Sequence, residues 1–166
     1  MNISCCLSTR FLTAIVAGGS LILILIALYM QHVMGLTPCY LCITQRIFVI
    51  AIGIIALCCC IQNPGDWGRR IYGGLLLILA LGGSFFSGKQ LWLQNLPEDK
   101  IPACGPPADY LFEVFSFSEA LGMLLQGDGN CAKVQWTLLG ISIPGWTLMC
   151  FIGFALIGGW LLFRKS

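Results

Sequence analysis

The sequence predicts an all-α membrane protein, a polytopic four-helix bundle with a short amphipathic helix on its outer side. Of its 166 residues, 58% are hydrophobic and only 10% are charged, whereas soluble domains carry about 25% charged residues. Four stretches are apolar over the length of about 20 residues that a helix needs to cross a bilayer. The net charge of +2 is too small to indicate a nucleic-acid partner. We therefore expect a single membrane domain over residues 1–166.

Hydropathy sets the four predicted spans and the loops between them. The spans are Phe11–Met30, Leu41–Ile61, Ile71–Trp92 and Pro144–Phe163. Charged residues occur only in the second and the third span, as Arg46 and Lys89. The outer loops then cover about 31–40 and 93–143, and the inner loop covers about 62–70. The first span is longer than the apolar core of a cleavable signal peptide and lacks an Ala-x-Ala site, so it is expected to stay as an anchor.

Basic residues in the short flanks predict the orientation. If the helices alternate in direction, one side receives five cations, which are Arg10, Arg69, Arg70, Arg164 and Lys165. The opposite side receives three, which are Lys89, Lys100 and Lys133. Short cytoplasmic loops are enriched in Lys and Arg. We therefore expect both termini in the cytoplasm and the two longer connections outside.

The outer segment between the third and the fourth span has two parts. Leu96–Pro107 contains four prolines, which favour an extended backbone. Tyr110–Gln126 combines Phe and Leu with Glu and Ser in the pattern of an amphipathic helix, and Gly127-Asp-Gly-Asn ends it. This helix is expected either to lie flat on the outer leaflet or to pack on the bundle.

Topology divides the ten cysteines. Six lie in the cytoplasmic N-terminus, at the inner end of the second span or inside the fourth span: Cys5, Cys6, Cys58, Cys59, Cys60 and Cys150. There, a reducing cytosol or the lipid disfavours disulfides, and cysteine acts as a small apolar residue. The outer side carries Cys39, Cys42, Cys104 and Cys131. An even number on an oxidising side predicts two disulfides: Cys39–Cys42, which closes locally, and Cys104–Cys131, which crosses the long loop.

The Cys39–Cys42 pair favours redox chemistry over a structural role. A disulfide that encloses so few residues removes little chain entropy, whereas a Cys-x-x-Cys at a helix N-terminus favours a reactive thiolate. For Cys104–Cys131 a structural brace is an equal alternative, although its exposed Pro-Ala-Cys-Gly-Pro setting opens it to attack by another protein's thiolate. A zinc site is disfavoured because Cys104 and Cys131 lack close cysteine neighbours.

Arg46 lies one helical turn beyond Cys42, and residues four apart share a helix face. A cation at the bilayer centre costs on the order of 3 kcal/mol, which makes Arg46 a functional candidate. It would stabilise a Cys42 thiolate and hydrogen-bond an electron acceptor that becomes anionic on reduction. The adjoining Gln45 is a second candidate for that acceptor site. The alternative is that Arg46 extends to the lipid headgroups; the single histidine, His32, is expected to be a boundary residue.

The run Cys39-Tyr-Leu-Cys42-Ile-Thr-Gln-Arg46 is similar to the signature of the DsbB family of disulfide bond formation proteins. Cys104 in its Pro-flanked loop and Cys131 followed by Gln135-Trp136 match the family pattern too, so the resemblance covers nearly the whole chain. It implies an inner-membrane enzyme that reoxidises a periplasmic thioredoxin-fold dithiol oxidase, DsbA-like, and passes the electrons to ubiquinone or menaquinone. That system keeps the bacterial periplasm oxidising.

The resemblance also implies roles for the cysteines. The partner's thiolate opens the Cys104–Cys131 disulfide, with the order of attack at these two sulfurs left open. Exchange then reaches Cys39, and Cys42, which is nearest Arg46, passes the electrons to the quinone. Two features depart from the family: Ile143 stands where Met is common, and no His follows Lys89, where some members carry one.

Two other classes of protein remain as alternatives. A tetraspanin-type scaffold also has four spans and a large cysteine-bearing outer loop, but it would leave Cys39-x-x-Cys42 and Arg46 without a role, and its Cys-Cys-Gly motif is absent. A quinone reductase of the vitamin K epoxide reductase type is also a small helical bundle. Its Cys-x-x-Cys usually lies late in the chain, whereas here it opens the second span.

Overall fold

A computed structural model describes residues 9–105 and 116–164. Within them the α-helices are α1 (Thr9–His32), α2 (Tyr40–Gln62), α3 (Asp66–Gln94), α4 (Phe117–Gln126) and α5 (Ile143–Phe163). All but α4 are long and apolar enough to cross a membrane. The predicted all-α membrane fold is confirmed. Residues of the sequence predictions that lie outside the described part of the chain are Cys5, Cys6, Pro106, Pro107, Tyr110, Glu113 and Lys165.

Each predicted span lies within one long helix, and α3 exceeds its span most. It begins at Asp66 rather than at Ile71, because hydropathy excludes charged residues that a helix can still carry beyond the apolar layer. Arg69 is buried there, pairs with Asp66 at 3.0 Å and donates to the Arg164 carbonyl at 3.1 Å. This last bond satisfies a carbonyl at the end of α5 and joins the C-terminal end of α5 to the N-terminal end of α3.

The bundle packs as two helix pairs, α1 along α2 and α3 along α5, with α2 also against α3. Gly73 and Gly158 face each other between α3 and α5. A Cβ at Gly73 would lie 2.8 Å from the Leu162 nitrogen, and one at Gly158 would lie 2.8 Å from the Leu77 nitrogen. Small residues therefore let these backbones touch, as is common between membrane helices. The central core consists of Leu12, Val16, Val49, Ile52, Ala56, Leu76, Ala80, Phe151, Phe154 and Leu161.

A second buried cluster lies at one end of the bundle, which we call the cysteine end. It consists of Cys39, Tyr40, Leu41, Leu93, Leu124 and Cys131. The described helix α4 joins the bundle here: Thr44 Oγ1 donates to the Leu124 carbonyl at 3.1 Å, and Lys89 Nζ donates to the Leu125 carbonyl at 3.1 Å. The C-terminal end of α4 therefore packs on the bundle. Its Leu121 and Leu125 side chains remain exposed.

Short irregular elements complete the cysteine end. Single turns of 3-10 helix occur at Glu98–Lys100 and Gly129–Ala132. A small hairpin, β1 (Thr137–Leu138) and β2 (Ile141–Ser142), precedes α5 and was not predicted, because strands this short leave no alternation in the sequence. Its turn residues Leu139 and Gly140 have φ of 55° and 79°, the left-handed conformation typical of tight hairpins.

Candidate functional site

Cys39 and Cys42 lie together at the start of α2. Cys39 is the residue before the first helical turn, in extended conformation, and Pro38 before it cannot continue a helix backwards into the loop. Cys42 lies within the first turn, which brings its Sγ to 2.9 Å from Cys39 Sγ. Cys39 is buried and Cys42 is half-buried. The predicted pair is therefore placed side by side by the local helix start.

Gln90 of α3 contacts both sulfurs. Its Nε2 lies 3.3 Å from Cys39 Sγ and 3.3 Å from Cys42 Sγ. Its Oε1 accepts a hydrogen bond from Gln45 Nε2 at 2.7 Å. Gln45 and Gln90 are both buried. The sequence reasoning found Gln45 but missed Gln90, although a glutamine inside an apolar span is itself a signal, because a buried amide needs partners.

Cys131 joins the pair from the connection between α4 and α5. It is fully buried in the 3-10 turn Gly129–Ala132, and its side chain hydrogen-bonds the thiol of Cys39. Its Sγ also lies 3.3 Å from Asp128 Oδ1. Cys39 therefore contacts sulfurs on both sides, Cys42 in its own helix and Cys131 in the loop.

These contacts shift the pKa values of the Cys39 and Cys131 thiols in opposite directions. The hydrogen bonds that Cys39 makes to Cys131 and to Cys42, together with burial, raise the pKa of the Cys39 thiol. The hydrogen bond from Cys39 is also the main reason why the pKa of Cys131 lies below its ordinary value. In the reduced state Cys39 is therefore the weaker acid of the two, and Cys131 is the thiol that more readily forms the nucleophilic thiolate.

Cys104 lies on the solvent side of the same turn. Its segment is held by a hydrogen bond from Gly129 N to the Ala103 carbonyl at 3.3 Å and by one from Gly105 N to Asp128 Oδ2 at 3.0 Å. A Cβ at Gly129 would collide with the backbone carbonyl oxygen of Pro102, so only glycine permits this approach of the two segments. Cys104 itself is exposed. The loop therefore presents one cysteine to solvent and buries the other.

Asp128 links these parts and was missed by the sequence reasoning, which took its segment only as the end of a helix. Its carboxylate is buried and accepts hydrogen bonds from Gly105 N, from Cys131 Sγ and, at 2.7 Å, from Asn130 Nδ2. A buried carboxylate requires such donors. One side chain thus fastens the Cys104 segment to the Cys131 turn.

Arg46 reaches across to α1. Its Nη1 donates to Gln31 Oε1, and its Nη2 donates to the Ala27 carbonyl at 3.2 Å. The guanidinium is thereby held between α1 and α2, one turn from Cys42. His32, the last residue of α1, is exposed.

A cavity of about 350 Å³ opens between α1, α2, α3 and α5 beside the sulfurs. Apolar side chains from α1 and α5 form much of its wall, including Leu23, Ile24, Ile143 and Trp146. Polar and sulfur-bearing residues at this wall include Cys39, Cys42, Gln45, Arg46, Gln90 and Cys150, and Lys133 adds a second cation. The volume lies within the range of about 300–1,000 Å³ typical of small-molecule sites.

The structure thus brings Cys39, Cys42 and Cys131 together, with Cys104 at the edge and Arg46 at the cavity. All four of these cysteines are free thiols, so the disulfides Cys39–Cys42 and Cys104–Cys131 stay predictions. The cysteines at the other end of α2 are Cys58, Cys59 and Cys60. Cys150, expected to serve only packing, lies at the cavity wall.

Comparison with known proteins places this arrangement in a family. The family model for disulfide bond formation protein DsbB matches residues 9–161. Disulfide bond formation protein B of Saccharophagus degradans is 50% identical over 159 residues, covering 96% of each chain. The protein of the same name from Stutzerimonas stutzeri is 45% identical over 96% of this chain and 98% of its own.

A relative in Pseudomonas aeruginosa, disulfide bond formation protein B 1, is 48% identical over 128 residues, which cover 77% of this chain and 78% of the relative. The family match spans all four long helices and the four cysteines of the cysteine end. The resemblance drawn from the cysteine motif and Arg46 is confirmed. The chain belongs to the DsbB family of disulfide bond formation proteins, membrane oxidoreductases that form disulfides.

Proposed function

We propose that the chain is a thiol:quinone oxidoreductase of the bacterial inner membrane. It reoxidises a periplasmic thioredoxin-fold dithiol oxidase, DsbA-like, and passes the electrons to a membrane quinone, ubiquinone or menaquinone. The observation that carries the proposal is the position of Cys39, in contact with Cys42 and Cys131 at the wall of an apolar cavity. A relay between two cysteine pairs needs one sulfur within reach of both.

In the oxidised protein the pairs are Cys39–Cys42 and Cys104–Cys131. The partner's thiolate attacks the exposed Cys104 or its bonded Cys131, breaks their disulfide and releases one thiolate, and the partner's second thiol then resolves the mixed disulfide. The partner leaves oxidised, and a pair of electrons stays on Cys104 and Cys131. The exposure of Cys104 favours it as the sulfur that meets the partner.

Exchange between the pairs then regenerates the outer disulfide. A thiolate of the outer pair attacks Cys39, the Cys39–Cys42 bond breaks, and Cys42 leaves as a thiolate. The second thiolate of the outer pair then attacks the outer sulfur that is bonded to Cys39, which reforms Cys104–Cys131 and releases Cys39 as a thiolate. The electron pair now resides on Cys39 and Cys42. The lowered pKa of Cys131 and its contact with Cys39 support Cys131 as the attacking sulfur.

The cavity residues fit a quinone. The wall is apolar, as an isoprenoid-bearing ring requires, and Arg46 and Gln45 supply donors at the end where Cys42 lies. When bound, the quinone supplies an acceptor for a pair of electrons and the accompanying protons. Gln31 holds the Arg46 guanidinium at this wall, where its charge favours an anionic oxygen. Cys42 reaches the same wall and is the sulfur placed to deliver electrons there.

The proposed orientation puts the cysteine end in the periplasm and both termini in the cytoplasm. Arg69, Arg70 and Arg164 lie at the opposite end of the bundle, as the distribution of basic residues in membrane proteins favours for a cytoplasmic face. An oxidising compartment also suits the outer disulfide, whereas a reducing cytosol would keep it open.

The test is to mix the purified protein with a reduced thioredoxin-fold oxidase and a soluble quinone and to follow the quinone absorbance. We expect reduction by the unmodified protein, none by Cys39→Ser, and full reduction by the control Cys58→Ser, whose sulfur lies at the other end of α2. No reduction by the unmodified protein, the result expected of a four-span scaffold, or full activity in Cys39→Ser, would reject the proposal.

A further inference from the structure

Gln90 is a buried polar residue in the middle of apolar surroundings. It lies in α3, one of the four membrane-length helices, and is 3% exposed. A buried amide costs free energy unless its donors and acceptor are satisfied. Here every recorded partner of the side chain belongs to the candidate site: the sulfurs of Cys39 and Cys42 and the amide of Gln45.

The orientation of this amide is set from its far side. Gln45 Nε2 donates to Gln90 Oε1 at 2.7 Å, and Cys42 Sγ reaches the same oxygen at the longer distance of 3.7 Å. The Nε2 group, which carries two N–H donors, is then directed to the sulfurs at 3.3 Å from each. Because Gln45 belongs to α2, like Cys42, and Gln90 belongs to α3, the contact also spans the helix pair that brackets the reactive sulfurs.

We propose that Gln90 is a positioning residue that makes the Cys39–Cys42 pair more oxidising by donating hydrogen bonds to the sulfurs of its reduced form, with Gln45 fixing the amide in the donating orientation. This inference rests on the proposed function, since it assumes that Cys39 and Cys42 form a reversible disulfide. It goes beyond that function in assigning a role on α3, outside the cysteine motif.

The physical basis is that donors bind a charged sulfur better than a neutral one. Hydrogen bonds to an ionised acceptor are roughly twice as strong as those between neutral groups. Reduction of the disulfide frees a thiolate, so the Gln90 amide stabilises the reduced pair more than the oxidised pair. A dithiol whose reduced form is stabilised is a stronger oxidant as a disulfide. Gln90 therefore promotes acceptance of electrons from the outer pair.

The experiment measures the equilibrium of the Cys39–Cys42 pair in glutathione redox buffers without quinone, in full-length protein in which Cys104 and Cys131 are replaced by Ala. Gln90→Met keeps the length of the side chain and removes the donors. We expect the equilibrium constant for reduction to fall about tenfold, which is ~30 mV for a two-electron couple. Gln90→Glu keeps the shape of the side chain and offers no N–H to the sulfurs, so we expect the equilibrium constant to fall in this variant too.

Two further variants separate this role from packing. Ser87→Ala, one turn away on α3, removes a buried hydroxyl that has no hydrogen-bond partner among the described residues, and it should leave the equilibrium unchanged. Gln45→Met should give a smaller fall than Gln90→Met, because the donors remain but lose their fixed orientation. An unchanged equilibrium in both Gln90 variants, or an equal fall in Ser87→Ala, would overturn the role of Gln90. Absence of a reversible disulfide in the parent protein would instead reject the proposed function.

Discussion

Both ends of α2 carry cysteines, and their surroundings differ. At the N-terminal end, Cys39 and Cys42 lie within reach of the Gln90 amide and, for Cys39, of a third sulfur. At the C-terminal end, Cys59 is fully buried in the apolar bundle, and Cys60 Sγ lies 3.6 Å from a backbone carbonyl. A carbonyl is an acceptor and does not stabilise a thiolate. The two ends therefore differ in their donors and neighbouring sulfurs rather than in the number of thiols, and the proposed function assigns the redox chemistry to the end that has both.

Removing the sulfurs from each end of α2 in turn tests whether the two groups of cysteines differ in their contribution to activity. Cys42→Ala should abolish thiol-dependent quinone reduction, because the Cys39–Cys42 disulfide cannot form without this sulfur. A triple substitution of Cys58, Cys59 and Cys60 by Ala should retain most of the activity at permissive temperature. Initial rates of quinone absorbance change measure both variants. If the triple variant loses activity while its helical circular dichroism is intact, the cysteines at the C-terminal end of α2 take part in the reaction, contrary to the proposal.

Arg46→Ala gives the next largest expected effect. Hydrogen bonds to charged groups contribute about 1.5–3 kcal/mol, so the apparent Michaelis constant for quinone should rise roughly ten- to a hundredfold. Arg70→Ala, an exposed cation at the inner end, is the matched control and should leave the constant unchanged. Steady-state titration with a soluble quinone measures both. An unchanged Michaelis constant in Arg46→Ala would show that Arg46 does not bind the quinone and would favour the alternative of a contact with the lipid headgroups.

Asp128→Asn tests how the outer loop is fastened to the cysteine end. The substitution keeps the shape but removes the charge that Gly105 N and Asn130 Nδ2 share, so the Cys104 segment should be held less tightly. We expect exchange between the two cysteine pairs to slow about tenfold, equivalent to about 1.4 kcal/mol. Acid-quenched alkylation at successive times measures the exchange.

The matched control for Asp128→Asn is Asp99→Asn, an exposed carboxylate in the same outer segment. It should exchange at the rate of the unmodified protein. Equal rates in the Asp128 and Asp99 variants would show that the buried carboxylate has no part in fastening the loop.

The smallest expected effect is a shift with pH. The hydrogen bond from Cys39 lowers the pKa of Cys131, so Cys39→Ala should raise that pKa toward its ordinary value. At a fixed pH below it, the thiolate fraction falls, and the pH profile for alkylation of Cys131 moves to higher pH. Peptide mass spectrometry in a background lacking Cys42 and Cys104 isolates this thiol. An unchanged pH profile for alkylation would show that Cys39 does not lower the pKa of Cys131.

Sequence alone predicted the parts of this site that a local pattern encodes. Hydropathy gave the four long helices because a bilayer demands an apolar length, and a helix start fixes the distance between Cys39 and Cys42. Topology grouped Cys104 and Cys131 with that pair, because alternating helices place both loops on one side. These inferences need no knowledge of which helix packs on which.

The partners supplied by tertiary packing could not be predicted in this way. Gln90 comes from a different helix, and no spacing rule relates its position to that of Cys42. Asp128 lies near Cys131 in sequence, but its bond to Gly105 depends on how the long loop folds back. The position of α4 could not be predicted either, because an amphipathic pattern fits both a helix on the bilayer surface and one packed on the side of a bundle.

The most direct test of the central claim is a redox map of every cysteine by differential alkylation and mass spectrometry. The purified, air-oxidised protein is incubated with a reduced thioredoxin-fold oxidase, without quinone, and labelled before and after. We expect Cys39, Cys42, Cys104 and Cys131 to pass from protected to labelled, while Cys58, Cys59, Cys60 and Cys150 keep their labelling. Redox change at the inner cysteines, or none at the cysteine end, would contradict it.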